Sequence, residues 1–306
     1  MSLKTVFMGT PEFSVQSLEA INKSKHKILS VFTQPPQKKL RGQKILPSPI
    51  QKAAERLKIP IRTPASLNSQ EDYQFLKSLS PDVVVVVAYG KIIPDKILKI
   101  PNILFLNLHA SLLPKWRGAA PMERAIMNQD KKIGFSIMKI VSELDAGPYM
   151  KQNSFTLNKE MNLGELNRKI SSEGAKGLVE SLDKISLNDF KFIDQDNSKA
   201  TYAKKILKKE TQINWNKKAD EIIAQVNAFN PNPGAWFIFN NSRIKILKAI
   251  QVEKSDIPGV VINNELTIAC QTNAIKVLLV QKEGKKIMET KNFLAGNKIE
   301  KGTKLI

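Results

Sequence analysis

The chain has one cysteine, Cys270, and two histidines, His26 and His109. A lone cysteine excludes an intramolecular disulfide framework and a cysteine-rich zinc site. Long apolar runs are missing too. The longest, residues 83–88, is far short of the ~20 residues that cross a bilayer. The opening stretch MSLKTVFMGTPEF has one lysine and no apolar segment ending in small residues, so no secretory signal is expected. These absences point to a cytoplasmic protein that does not engage a membrane. Glycine is scarce where a dinucleotide would need it. The turn Met8-Gly9-Thr10-Pro11-Glu12 has a single glycine, whereas the dinucleotide fingerprint uses three, and an NAD enzyme is set aside. Arginine is scarce as well, seven of the 48 basic residues.

What is abundant is lysine. The 306 residues carry 48 basic and 28 acidic groups, a net charge of +20, and residues 201–306 alone hold 18 basic against 9 acidic. Such an excess concentrates phosphates and makes polyanion binding salt-dependent.

Apolar patterning gives the architecture. Residues 3–8, 27–33, 83–88, 103–108 and 134–141 read as strands, with 83–88 apolar on both faces as a central parallel strand must be. Helical patterns fall between them at 13–23, 48–57, 69–79 and 119–128, with Thr10 expected as the first N-cap. Alternating strands and helices imply a doubly wound α/β sheet. A helix at 161–184 follows, then a polar stretch, 188–210, around Asp194-Gln195-Asp196-Asn197-Ser198 that reads as a linker. One more helix at 217–229 leads to short strands at 235–239, 243–250, 258–262, 265–269, 275–280 and 303–306, a small all-β domain, most simply a barrel. The domains are expected at 1–187 and 209–306, with 188–208 as linker.

The chemistry-bearing residues gather at two places. Asn107-Leu108-His109-Ala110-Ser111-Leu112-Leu113-Pro114 lies where a buried strand runs out, the edge where open α/β sheets bind ligands. Asn107 and His109 are two apart and share one side of an extended chain. An amide donor can stabilise an oxyanion and an imidazole can take a proton from an amine, as acyl transfer requires. An acid in Ser142-Glu143-Leu144-Asp145-Ala146-Gly147-Pro148 could orient the imidazole; Asp145 is the candidate, and residue pattern alone does not separate it from Glu143. His26, in a lysine-rich loop, reads as a solvated residue. The second place is loop 34–47, which carries Lys38, Lys39, Arg41 and Lys44 and no acid. An arginine fork suits phosphate or base edges better than lysine does.

The stretch from Asn107 to Pro114, with Asp145-Ala146-Gly147, resembles the signature of the folate-dependent formyltransferases. The resemblance runs the length of the chain to the branch of that family acting on aminoacylated initiator tRNA. It includes Phe7-Met8-Gly9-Thr10-Pro11-Glu12-Phe13, Arg41-Gly42-Gln43-Lys44, Ala88-Tyr89-Gly90-Lys91, Arg117-Gly118-Ala119-Ala120-Pro121, Thr201-Tyr202-Ala203-Lys204-Lys205 and Phe229-Asn230-Pro231. It implies a Rossmann-like formyltransferase domain with a parallel-dominated sheet and a C-terminal OB-like barrel. The implied reaction moves a formyl group from 10-formyltetrahydrofolate to the α-amine of methionyl initiator tRNA. Asn107, His109 and Asp145 would catalyse it without a metal. Ser111, Leu112, Leu113 and Pro114, with Val87, Ala88, Tyr89 and Gly90, would line the folate pocket. Lys38, Lys39, Arg41 and Lys44 would meet the tRNA acceptor end, and Lys248, Lys254, Lys282, Lys285 and Lys286 offer a basic face to its backbone. Asn227 and Asn232 stand where that family pattern leads one to expect an arginine and an aromatic. A monomer is expected. Competing readings are a formyltransferase for an amino sugar nucleotide, a non-catalytic RNA-binding protein on this fold, and a folate-binding or folate-hydrolysing protein.

Overall fold

The computed structural model describes residues 1–39 and 44–305. In chain order the strands and helices of its first half are β1 (Lys4–Gly9), α1 (Val15–Lys23), β2 (Lys27–Phe32), β3 (Gln37–Lys39), β4 (Lys44–Leu46), α2 (Pro49–Arg56), β5 (Ile61–Arg62), α3 (Gln70–Leu79), β6 (Val83–Val87), α4 (Asp95–Leu98), β7 (Leu104–His109), β8 (Arg117–Gly118) and α5 (Pro121–Met127). Then follow β9 (Lys132–Lys139), β10 (Tyr149–Thr156), α6 (Leu163–Ser186), β11 (Tyr202–Ala203), α7 (Ala219–Phe229), β12 (Ala235–Phe239), β13 (Ser242–Val252), β14 (Thr267–Ala269), β15 (Ala274–Lys282), β16 (Met288–Glu289) and α8 (Thr290–Gly296).

The chain forms two compact units that are not contiguous in sequence. The first takes Met1–Gly118, Gly134–Phe155 and Asn167–Tyr202; the second takes Ala119–Ile133, Thr156–Leu166 and Ala203–Ile306. The first is organised by a seven-stranded sheet in the order β10-β9-β7-β6-β1-β2-β5. β1 pairs in parallel with β2 and β6, and β6 with β7, while β9 runs antiparallel to β7. All five residues of β6 are buried, because helices cover both faces of a central parallel strand. Val6, Met8, Phe32, Val84, Val86 and Phe105 form one core on this sheet. α6 lies close on β7 and β9. A Cβ at Gly174 would stand 2.7 Å from the Leu108 side chain, and one at Gly177 2.9 Å from Phe135.

Ser48 and Ser69 cap α2 and α3, accepting from the N–H groups of Gln51 and Asp72. Thr10 does not cap as expected. Pro11 takes the cap position of a 3-10 turn, and the Thr10 hydroxyl instead donates to the Tyr89 carbonyl at 2.8 Å. The expected loop 34–47 contains a β-hairpin, with Gln37 opposite Leu46 and Lys39 opposite Lys44. His26 is not solvated but buried, at 4% exposure. Its Nδ1 accepts from the Leu3 N–H, and its Nε2 lies 3.3 Å from Asp183.

The second unit carries a five-stranded antiparallel sheet, β12-β13-β15-β14 with β16 on β15. The stretches 258–262 and 303–306 form no strand among the described residues; Val260 and Lys304 meet in an isolated bridge. Ile222, Val226 and Phe229 of α7 are fully buried, and Cys270 is buried just after β14. The buried Asn227 amide donates to the Lys159 carbonyl at 2.9 Å, whereas Asn232 is exposed.

Candidate active site

The carboxyl ends of β1, β6 and β7 lie side by side, with Gly9 opposite Val87 and Val86 opposite Asn107. β7 stays extended through His109, so Asn107 and His109 project to one face of the sheet. The His109 Nδ1 stands 3.6 Å from the Asp145 Oδ2, with side-chain exposures of 6% and 17%. Its Nε2 is 2.9 Å from the Trp116 carbonyl. A carbonyl oxygen only accepts, so Nε2 carries a proton and donates it. In the neutral ring Nδ1 then holds the lone pair, and a proton arriving there faces a carboxylate. Glu143 is exposed, in contrast to Asp145. Asn107 is half-buried, and among the described residues its amide has no hydrogen-bond partner, which leaves both N–H groups for a ligand.

The loop that carries Asp145 is tightly constrained. Asp145 has a φ of +47°, a left-handed conformation that a non-glycine residue holds only when its surroundings enforce it. A Cβ on Gly147 would stand 1.9 Å from the Lys139 carbonyl oxygen, so only glycine fits. The Gly118 N–H donates to Asp145 Oδ2 at 2.8 Å. Gln195 donates its amide to the Asp145 carbonyl at 2.8 Å and the Gly147 carbonyl at 2.6 Å. Its Oε1 accepts from Arg117 Nε at 3.0 Å and Nη2 at 2.8 Å, and Nη2 also donates to Asn197 Oδ1 at 2.7 Å. Gln195 and Asn197 belong to the stretch read as a linker. Its polarity looks the same in sequence whether it faces water or a guanidinium that is 4% exposed. The usable signal was Arg117 itself, one of seven arginines, placed beside the signature segment.

That segment is locked from below. The Ser136 hydroxyl donates to the Ser111 carbonyl at 2.7 Å and accepts from the Leu113 N–H at 3.0 Å. Gln152 of β10 donates to the Leu113 carbonyl at 2.8 Å, and the Ser111 hydroxyl donates to the Lys115 carbonyl at 2.6 Å. Neither Ser136 nor Gln152 stood out in sequence. Ser111 and Leu113 turn inward, while Leu112 and Pro114 stay half-buried, and the Leu113–Pro114 peptide is cis. At the end of β6, Val87 and Tyr89 are buried and Ala88 and Gly90 are exposed. The Tyr89 ring belongs to the core, and burial pushes its hydroxyl up to about 12. The hairpin is rooted on this same loop, since Gln34 donates to the carbonyls of Tyr89 at 3.0 Å and Gly90 at 3.2 Å. Of the hairpin residues expected to meet RNA, Arg41 lies outside the described residues. Lys38, Lys39 and Lys44 are placed by their backbone only.

The second unit has a groove of about 560 Å³ lined by Glu123, Lys205, Lys208, Trp236, Arg243 and Lys245. The Arg243 guanidinium sits 4.1 Å above the Trp236 ring, and the Trp236 indole donates to Thr211 Oγ1 at 2.9 Å. Burial pushes the Glu123 carboxyl above its ordinary range.

Two family profiles match the chain: formyl transferase over residues 3–182 and formyl transferase, C-terminal domain, over residues 205–298. The methionyl-tRNA formyltransferase of Pelagibacter ubique is 44% identical, covering 100% of this chain and 99% of the relative. That of Coxiella burnetii is 41% identical, covering 100% and 98%. Among solved structures, HypX from Aquifex aeolicus in complex with tetrahydrofolic acid aligns with a TM-score of 0.64 at 15% identity, over 98% of this chain and 49% of that one. The N-formyltransferase from Helicobacter canadensis in complex with folinic acid and dTDP-3-aminofucose aligns with a TM-score of 0.67 at 20% identity, over 92% and 100%. At those identities the likeness is one of fold.

Proposed function

The chain belongs to the formyl transferase family across both of its matched regions, and from that premise we propose that it formylates the α-amine of methionyl initiator tRNA, yielding formylmethionyl-tRNA for translation initiation. The family takes its formyl group from folate derivatives, and the donor proposed here is 10-formyltetrahydrofolate. One observation carries the reading. An amide without a partner among the described residues, Asn107, and an imidazole backed by a carboxylate, His109 with Asp145, share one face at the carboxyl end of the sheet.

The methionyl amine attacks the formyl carbon, and the carbonyl becomes an oxyanion. Asn107 donates to that oxygen, an interaction stronger in the transition state than in the ground state. The amine's surplus proton passes to His109 Nδ1, and the resulting imidazolium faces Asp145. When the tetrahedral species collapses, the bond to the folate nitrogen breaks, and the imidazolium proton goes to that leaving nitrogen. Formyl is thereby exchanged for hydrogen on folate and hydrogen for formyl on the amine.

Leu112, Pro114 and the exposed backbone at Ala88 and Gly90 offer a flat slot with polar edges, which suits a pterin. Ser111, Leu113, Val87 and Tyr89 support that slot from behind. Lys38, Lys39, Arg41 and Lys44 meet the acceptor end. The groove bearing Lys205, Lys208 and Lys245 supports a role of residues 209–306 and the segment before them in holding RNA backbone. Residues 1–187 carry the chemistry, and the enzyme works as a cytoplasmic monomer.

The test is a transfer assay with 10-formyltetrahydrofolate and methionyl initiator tRNA, comparing the wild type with His109→Ala and Arg41→Ala. The expected result is formylation by the wild type, loss of turnover in His109→Ala, and a defect confined to the tRNA side in Arg41→Ala. A wild-type enzyme that leaves the tRNA unmodified but formylates an amino sugar nucleotide overturns the proposal.

A further inference from the structure

We infer that Gln195 is a positioning residue of the reaction: its side-chain amide, oriented by Arg117, holds the Asp145 loop at its place beside His109. The inference rests on the functional reading above for its kinetic meaning, but its structural content is independent of it.

Three observations converge. First, the Asp145 carboxylate is carried by a strained segment, with φ of +47° at Asp145 and no room for a side chain at Gly147. Such a conformation persists only where its neighbours fix it. Second, the bonds from Gln195 fall on both sides of that strain, on the carbonyls of Asp145 and Gly147. Third, the opposite end of the same amide accepts twice from Arg117. At this reach only a glutamine amide does both. A glutamate has no N–H for the two carbonyls, and a hydrophobe has neither end.

Arg117 fits this role and little else. It is 4% exposed, and among the described residues its side chain bonds only to the amide oxygens of Gln195 and Asn197. A buried guanidinium without a carboxylate is a costly arrangement for stability alone. Its acceptors are neutral, so it leaves Asp145 free to serve His109. The carboxylate is instead held by the Gly118 N–H, from the residue next to Arg117. One short strand thus fixes the carboxylate directly and the loop backbone through Gln195.

The two histidines supply a readout that does not depend on activity. With ¹⁵N-histidine labelling, the His109 ring signals report the site. Those of His26, buried at the start of β2 against Asp183, report the fold. The experiment compares the wild type with Gln195→Ala and Gln195→Glu by this NMR signature and by steady-state kinetics. Both variants are expected to keep the His26 signals and shift those of His109. Both are expected to lose kcat by about 10–100-fold, the scale set by sub-ångström to 1 Å misplacement, with KM for folate and tRNA within about threefold. Gln195→Glu is decisive where the alanine variant loses its His26 signals, because it keeps an acceptor for Arg117 and sets a carboxylate oxygen against the two carbonyls in place of the donor. His109 signals identical to wild type in a folded variant overturn the inference, and so does full activity in Gln195→Glu. Unchanged kcat with raised KM for both substrates also overturns it, as that marks a merely structural residue. Failure of the wild type to formylate tRNA sinks the functional reading alone, since the His109 signals still test the positioning.

Discussion

At the scale of single residues, the proposed mechanism separates groups that act from groups that place them. Asn107 has no competing partner among the described residues, so its removal costs transition-state stabilisation and little else. Asn107→Ala is expected to lower kcat by ~10²–10³-fold with the folate KM nearly unchanged; a mutant within a few-fold of wild type rejects that role. Gly147 belongs to the placing group. Gly147→Ala pushes a methyl against the Lys139 carbonyl, and urea denaturation is expected to show a loss of roughly 1–3 kcal/mol, as over-packing does. His26 gives a pH signature away from the site. Burial holds its pKa below 6.5, outweighing the opposite pull of Asp183. Between the two values the unfolded chain binds a proton that the folded chain refuses, so stability is complete above 6.5 and declines as pH falls toward the folded value. Urea midpoints measured between about pH 7.5 and about pH 5.5 should fall in the wild type and flatten in His26→Gln.

At the scale of elements, what could be read in advance depended on how many physical constraints each segment obeys at once. β6 was legible because a strand buried on both faces has to be continuously apolar. β12 was found with its observed limits because aromatic and branched residues run up to an Asn240-Asn241 turn. β10 escaped notice because it is buried on neither face; its Gln152 matters through hydrogen bonds to the Leu113 carbonyl and the Ser136 hydroxyl, which leave no periodic trace. The hairpin β3–β4 was read as a loop, since β3 holds only glutamine and lysine and both strands are three residues long, too short to show alternation. Asn107 and His109 were legible as a pair because strand geometry fixes their shared side. Gln195 was not, since the partner that gives it meaning lies 78 residues away. The hairpin carries its own expectation. Replacing Gln34 with alanine removes the bonds to the Tyr89 and Gly90 carbonyls, which should loosen its root. The tRNA KM should rise several-fold while kcat at saturation stays near wild type, measured by initial rates across tRNA concentration.

At the scale of the whole molecule, the +20 charge sets how the enzyme meets a polyanion. The logarithm of kcat/KM for tRNA is expected to fall linearly with that of salt concentration, while binding of folate stays comparatively flat. Equal slopes for the two substrates would remove the charge from the recognition argument. The division into two units has a consequence of a different kind. The chain's single thiol is sealed inside the second unit, where burial pushes Cys270 up to about 12 and its sulfur contacts the Ile268 carbonyl. A thiol in that state does not react until it is uncovered. The protein thus carries a built-in stopwatch. The rate at which a thiol reagent consumes Cys270 under native conditions clocks the spontaneous opening of the second unit, and tRNA should slow it if RNA is held there, whereas folate should leave it ticking at its native pace.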